Sequence, residues 1–198
     1  PRYLVLLRGS VVYLDHPQCV SGVHLILSST VPLPNWSIVL KLGVLVYLEN
    51  NDEHVLMIHR EKEDEHQGLW LAPGGKVEPN EAPYETAVRE MLEETGLHIK
   101  DPELKAVLSF PDEGDSPFGD EWHVFVFYTN CFSGKLTIDC PEGRLKWIPK
   151  DELTELALWE GDRLFTPRIL ESGCFSAKFL YSGKTLIDYT FSGCDQQV

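Results

Sequence analysis

Three glutamates, Glu90, Glu93 and Glu94, carry the strongest chemical signal in this chain of 198 residues. On a helix, at about 100° per residue, Glu93 falls about 60° to one side of Glu90 and Glu94 about 40° to the other. Three carboxylates then crowd one face within roughly a turn. Like charges at three- and four-residue spacing repel and destabilise a helix. Here only Arg89 interrupts them, flanked by Glu85 and Glu93 four residues to either side. Two readings meet that pattern: a solvated acidic face, or a seat for a hard divalent cation. Magnesium prefers carboxylate and water oxygens and bridges to substrate phosphates.

The helix that must present these carboxylates is predicted over Glu81 to Thr95. Pro83 sits in its first turn, where a missing N–H costs little, and Gly96 closes it as a C-terminal cap. Tyr84, Val88, Met91 and Thr95, with Ala87 and Leu92 at the margins, form the opposite, buried stripe. A turn, Pro73-Gly74-Gly75, precedes the helix, after a charged loop from Arg60 to Gln67 and the apolar Leu69-Trp70-Leu71. Leu42 to Leu48 and His54 to His59 flank Asn50-Asn51-Asp52, a hairpin signal. Further strands are predicted at Leu104 to Phe110, His123 to Thr129 and Leu145 to Ile148, with an acidic loop, Pro111 to Glu121, between the first two. A second helix is predicted at Gly161 to Ser172, bent at Pro167, and a closing hairpin at Phe175 to Phe191 around Ser182-Gly183. The mixture is α+β, without an internal repeat.

Residues 1–37 differ from the remainder. They hold two arginines and one aspartate, so residues 38–198 carry about −15 of the net charge of −14. Val11 to Leu14 and His24 to Leu27 are candidate strands, Val31-Pro32-Leu33-Pro34-Asn35 is a candidate linker, and the role of the segment is unassigned. A hydrophobic content of 43% with 24% charged residues is ordinary for a soluble globular domain. No apolar run is long enough for a helical membrane span, and Tyr3 to Leu7 is too short for a signal-peptide core. Five cysteines are an odd number without zinc spacing, so reduced thiols and a cytoplasmic setting are expected. The acidic balance lacks the basic stripe of a nucleic-acid binder. An anionic ligand is then held through cations on carboxylates.

Spacing separates the two readings of the glutamates. Gly75 is followed by five residues, Glu81, seven more, and then Arg89-Glu90-Met91-Leu92-Glu93-Glu94-Thr95-Gly96-Leu97. This matches every fixed position of the Nudix box, and the chain resembles the Nudix hydrolases. The resemblance implies an α/β/α sandwich with a mixed sheet and a loop–helix–loop that holds metal. It implies Glu90 and Glu94 as principal magnesium ligands, with Glu93 and the Gly74 carbonyl beside them, manganese being able to substitute. Arg89 would hold the glutamates, including Glu81, through ion pairs.

A finer likeness, over about residues 39 to 192, is to the MutT-type sanitising enzymes. Trp70 before Pro73-Gly74-Gly75-Lys76-Val77 carries it, as do Pro141-Glu142-Gly143-Arg144-Leu145-Lys146-Trp147 and Leu158-Trp159-Glu160-Gly161-Asp162 followed by Phe165. So does the C-terminal Lys178 to Lys184 with Ile187-Asp188-Tyr189. This likeness implies Glu142 as a late catalytic or metal-binding residue, Trp159 as a stacking surface for a purine, and Asp162 on the base edge. Phe110 would line the base pocket and Lys76 would serve the substrate. Trp159 also reads as a core anchor of the second helix, and His123 as structural. Leu71 and Gly161 stand where the closest enzymes carry asparagine and aspartate, which leaves Asp162 to supply most of the discrimination. The activity implied is hydrolysis of an oxidised purine nucleoside triphosphate to monophosphate and pyrophosphate by a monomer or homodimer, without nucleic acid or membrane. Alternatives are a Nudix pyrophosphohydrolase of a nucleotide sugar or dinucleotide, separated by its products, and an inactive nucleotide-binding module, against which the intact box argues.

Overall fold

A computed structural model describes residues 3–7, 10–14, 40–113, 115–137, 140–171 and 173–193, with side chains from residue 40 onward. The chain divides into two compact units, Pro1–Ser37 and Ile38–Val198. In the first, β1 (Tyr3–Leu7) and β2 (Ser10–Leu14) form an antiparallel hairpin. The expected strand at His24 to Leu27 and the linker at Val31 to Asn35 lie outside the described residues.

The second unit begins with β3 (Leu40–Leu48) and β4 (His54–Arg60). Asn50 makes the tight turn between them, its Oδ1 accepting the backbone N–H of Asp52 at 2.9 Å and of His54 at 3.0 Å. The expected hairpin ends there. Beyond a single bridge from Glu49 to Val55, β3 and β4 separate into different sheets. Strand β5 (Trp70–Leu71) pairs with β4, and β6 (Gly74–Lys76) pairs with β3. Helix α1 (Pro83–Thr95) follows, then β7 (Leu97–Ile99), β8 (Glu103–Phe110), β9 (Glu121–Thr129), β10 (Phe132–Gly134) and β11 (Gly143–Pro149). A 3₁₀ turn at Lys150–Glu155 leads to α2 (Glu160–Ile169), β12 (Phe175–Ser182) and β13 (Thr185–Gly193).

The principal sheet has the order β13-β12-β8-β9-β3-β6 and is mixed, with β12–β8 and β9–β3 parallel and the other pairs antiparallel. A three-stranded antiparallel sheet, β11-β4-β5, stands apart from it. Strand β3 shows why the unit needs two cores. Successive side chains point to opposite faces. Val44, Val46 and Leu48 pack with Ala87 and Met91 of α1, whereas Tyr47 joins Phe165 and Ile169 of α2 in the other cluster. Helices thus cover the sheet on both faces, an α+β sandwich. Neither helix is long and apolar enough to cross a membrane, nor is any other among the described residues.

Helix α1 starts two residues later than its pattern predicts. Ala82 is its N-cap, and Pro83 takes the first helical position. Glu85 reaches back to the Ala82 N–H at 2.8 Å, and Gly96, at φ 73°, ends the helix in the left-handed conformation. Its buried side is Thr86, Ala87, Met91, Glu94 and Thr95. Tyr84 and Leu92, expected on or beside that stripe, are 46% and 41% exposed. The buried arc is centred on Ala87 and Met91 and turned towards Glu94, which leaves Leu92 at its far margin and Tyr84 in the first turn of the helix. Helix α2 ends at Ile169, three residues short of the expectation, with Pro167 inside its last turn.

Candidate active site

Glu94 projects from α1 against the turn that leads out of β5. Only 6% of it is exposed, and its Oε2 accepts the Gly74 N–H at 2.9 Å. Burial raises its carboxyl to about 7, the neighbouring Glu90 and Glu93 add to this, and the Gly74 hydrogen bond and Arg60 oppose it. Glu90 lies on the same side with its carboxylate against Gly75. A methyl group on Gly75 would stand 2.1 Å from Glu90 Oε1, so only glycine leaves that carboxylate its place. Glu93 is more open, its side chain 59% exposed.

Arg89 ties this group together. Its guanidinium donates to both oxygens of Glu81 at 2.7 and 2.9 Å, to Glu90 at 2.8 Å, to Glu93 at 3.2 Å and to the Lys76 carbonyl at 3.2 Å. Glu81 precedes the helix rather than belonging to it, and also accepts the Thr86 hydroxyl at 2.7 Å. These bonds, led by that from Arg89, lower Glu81 to about 2. The contacts to Arg89 relieve the carboxylate repulsion that the sequence implies.

Among the described residues, no three acidic, histidine or cysteine side chains already converge on one point. The donor chemistry nevertheless fits a hard divalent cation. Carboxylates crowd the place, with the Cys140 thiol in the field of Glu94, the Gly75 cradle admits the Glu90 carboxylate, and among the described residues the buried Glu94 meets one amide and no cation at bonding distance. Arg89 occupies the near oxygens of Glu90 and Glu93.

The remaining sequence-predicted residues fall into two further places. Glu142, just before β11, is ion-paired with Arg60 and lies 3.0 Å from Lys62. Arg60 also donates to Asp64 at 3.0 Å and is near enough to Glu94 to lower its carboxyl. Glu142 therefore reaches the α1 carboxylates through Arg60, a residue that the sequence reading left inside a charged loop. Lys76 extends over the Trp122 ring, its Nζ 5.5 Å from the centroid.

Trp159 and Phe110 belong to the core cluster on the α2 side of the sheet, where Asp162 stands on α2 near Tyr47 and Tyr181. Asp162 is 8% exposed and makes no hydrogen bond among the described residues, and burial raises its carboxyl to about 7. Trp159 does not offer an open face. It is 5% exposed, its Nε1 donates to His66 Nδ1 at 2.8 Å, and the rings of Phe118, Tyr181 and His66 surround it at 5.3, 5.5 and 5.8 Å. That is the core-anchor arrangement. His66 accepts at Nδ1 and is held neutral, because burial disfavours its charged form. The missing aspartate at Gly161 also has a cause. A Cβ there would stand 2.8 Å from Tyr181 Oη and 3.0 Å from Phe179. The Gly161 N–H donates to that hydroxyl at 2.8 Å.

One loop joins the two halves of the site. Arg60, at its start, reaches Glu142 and the field of Glu94, and His66, a few residues on, rests against Trp159. Neither His66 nor Phe118 was singled out by the sequence reading. Each lies in a charged loop, where periodicity carries no signal.

A family model described as the NUDIX domain matches residues 39–169. The chain is 30% identical over 141 residues, 71% of its length and 80% of the relative's, to a Nudix hydrolase of Bacillus subtilis whose activity is uncharacterized. It is 29% identical over 129 residues, 65% of its length and 80% of the relative's, to the oxidized purine nucleoside triphosphate hydrolase of Mus musculus. Among solved structures, the MutT protein of Bacillus halodurans aligns with a TM-score of 0.68 at 31% identity, covering 76% of this chain and 97% of that one.

Proposed function

The chain belongs to the NUDIX family of hydrolases, and on that premise we propose that it converts purine nucleoside triphosphates, oxidised ones preferred, to the monophosphate and pyrophosphate. Nudix enzymes act on small-molecule nucleotides and generally use divalent metal ions. The finer reading rests on one observation: a carboxylate group on α1 and a buried carboxyl among aromatic rings are joined by the single loop that carries Arg60 and His66. The name of the mouse relative, whose chain matches over most of its length, supports the substrate class.

In this reading Glu90, Glu93 and Glu94, with Gly74, hold the cation, magnesium by proposal with manganese as a substitute. A cation there supplies charge neutralisation of the phosphate oxygens and acidifies water. Arg89 orients the carboxylates and keeps them from repelling one another. Glu142 would take the proton that the attacking water loses as it bonds to phosphorus, once Arg60 turns from Glu142 towards phosphate. Lys76 faces the phosphates from the far side of the turn. Asp162, protonated near neutrality, donates to an acceptor on the base edge, and Phe110 and Trp159 flank the ring. The proposed setting is the cytoplasm, as a monomer or homodimer, without nucleic acid or membrane. The free thiols Cys131, Cys140 and Cys174 are compatible with a reducing compartment.

The test is a turnover panel of normal and oxidised nucleoside triphosphates with magnesium, compared by kcat/KM with products identified. Pyrophosphate release and preference for an oxidised purine are expected. Two monophosphates from a dinucleotide or nucleotide sugar, at higher kcat/KM, would replace this reading with the other Nudix class. Within the panel, Trp159→Ala is expected to weaken all purines about equally, since stacking ignores the edge. Asp162→Ala is expected to erode the ratio of oxidised to normal substrate. An unchanged ratio removes Asp162 from base recognition.

A further inference from the structure

The loop between β8 and β9 places one large apolar side chain inside the aromatic group around Trp159. Phe118 stands with its ring 5.3 Å from Trp159, 5.4 Å from Tyr181 and 5.4 Å from Phe110, at interplanar angles of 67°, 81° and 76°. It also lies nearly parallel to His66, at 6.1 Å and 20°. Such edge-to-face distances are those of rings in contact. A ring that touches three others at once leaves no room among them for another planar ring.

The surroundings of Phe118 are unequal in firmness. Trp159 caps α2, Tyr181 and Phe110 belong to strands of the principal sheet, and Tyr181 is 2% exposed. Phe118 instead belongs to the irregular loop and is only half-buried. Its N–H meets Ser116 Oγ at 3.4 Å and its carbonyl meets Trp122 Nε1 at 3.4 Å, both long bonds. The firmest tie is the Gly183 N–H to the Asp115 carbonyl at 2.7 Å, which fastens the loop to the β12–β13 turn. Of the two loop rings over Trp159, His66 is held by hydrogen bonds of 3.0 and 2.8 Å, whereas Phe118 has only the two long ones.

We propose that Phe118 holds the place of the base on Trp159, so that every substrate must displace its ring in order to bind. The inference rests on the base pocket proposed above. A purine brings a larger flat surface than phenylalanine and an edge for Asp162. A pyrimidine brings a ring of similar size to the one it must replace, and gains less. Occupation by Phe118 lowers the apparent affinity for every base by the fraction of time the pocket is free. The cost is common to all.

Steady-state KM and kcat decide this, measured on the full chain with magnesium and a purine and a pyrimidine nucleoside triphosphate. The variants are Phe118→Ala, Phe118→Leu, Trp159→Ala and the pair Phe118→Ala with Trp159→Ala. Phe118→Ala is expected to lower KM for both substrates by the same factor, about three- to tenfold, leaving the purine preference as it is, with kcat changed by less than about twofold. Phe118→Leu falls between it and the wild type and, keeping an apolar filler, carries the test if the alanine variant unfolds. Adding Trp159→Ala abolishes the gain. If KM is unchanged or higher in the Phe118 variants while Trp159→Ala raises it, the inference is overturned and the base pocket stands. If KM ignores Trp159→Ala in the wild type, the pocket itself is gone and the inference falls with it.

Discussion

Glu94 and Asp162 are two carboxylates that burial raises to about 7 for opposite chemical ends. Glu94 lies against Gly74 beside other acids, where a cation would restore its charge. Asp162 lies among rings with no ion partner, where a proton serves it better. Glu90→Gln and Glu94→Gln are each expected to cut kcat by two or more orders of magnitude, because magnesium needs charged oxygens. Retention of more than half the wild-type kcat at saturating magnesium would remove the ligand roles. Glu94→Gln is also expected to raise Tm in the absence of metal, since it removes a buried like-charge neighbour of Glu90. For Asp162 the reading is stability against pH. The folded protein keeps a proton that the unfolded chain releases near its ordinary value of 3.8. Stability therefore falls as pH rises from about 4 to about 7, at most about 1.4 kcal/mol per unit, and levels off above. Subtracting the Tm–pH profile of Asp162→Asn should expose that slope. Identical profiles would show that Asp162 ionises freely.

At the scale of elements, the Gly74-Gly75 turn does two separate jobs that substitution can tell apart. A Cβ on Gly74 would sit 2.1 Å from the Val44 carbonyl, in the backbone of the neighbouring strand, which cannot move without breaking the β3–β6 pairing. A Cβ on Gly75 would strike only the end of the Glu90 side chain. Gly74→Ala is thus expected to lower stability by about 2–3 kcal/mol or more, as overpacking does. Gly75→Ala is expected to leave stability within about 1 kcal/mol while kcat falls at least tenfold, because Glu90 is pushed from its cradle. Urea unfolding beside steady-state kinetics separates the two, and equal stability losses would refute the division. Helix α1 and β6 thus form one device, with Arg89 bonded both to the helix acids and to the Lys76 carbonyl.

At the scale of the molecule, both core clusters found among the described residues are built within Ile38–Val198. We propose that residues 38–198 form the hydrolase domain, with residues 1–37 a segment outside it. A chain beginning at residue 38 is expected to unfold cooperatively and to keep kcat/KM within about twofold of the full chain. A larger loss would assign the first segment a part in the site. The net charge of −14 belongs to this scale too. On the proposed function, a polyanionic substrate would approach an acidic protein unfavourably, and Arg60, Lys62, Lys76 and a cation on the α1 carboxylates would have to hold it.

Periodicity and spacing determined the acidic helix, its C-terminal glycine cap, the glycine turn before it and the recurring strands, because each depends on residues close in the chain. The Nudix box was legible for the same reason: its ligand-type residues lie within about six turns of chain. Tertiary structure decided what those residues meet. It sent β3 and β4 into different sheets, since strand partners are chosen across the whole domain. It buried Glu94 rather than Tyr84, because the face of α1 packed on β3 is centred on Ala87 and Met91. It closed Trp159 under Phe118 and His66, residues of two loops far apart in sequence, and filled with Tyr181 and Phe179 the space an aspartate at Gly161 would need. Pocket walls are long-range contacts, and no local pattern encodes which ring will stand over which.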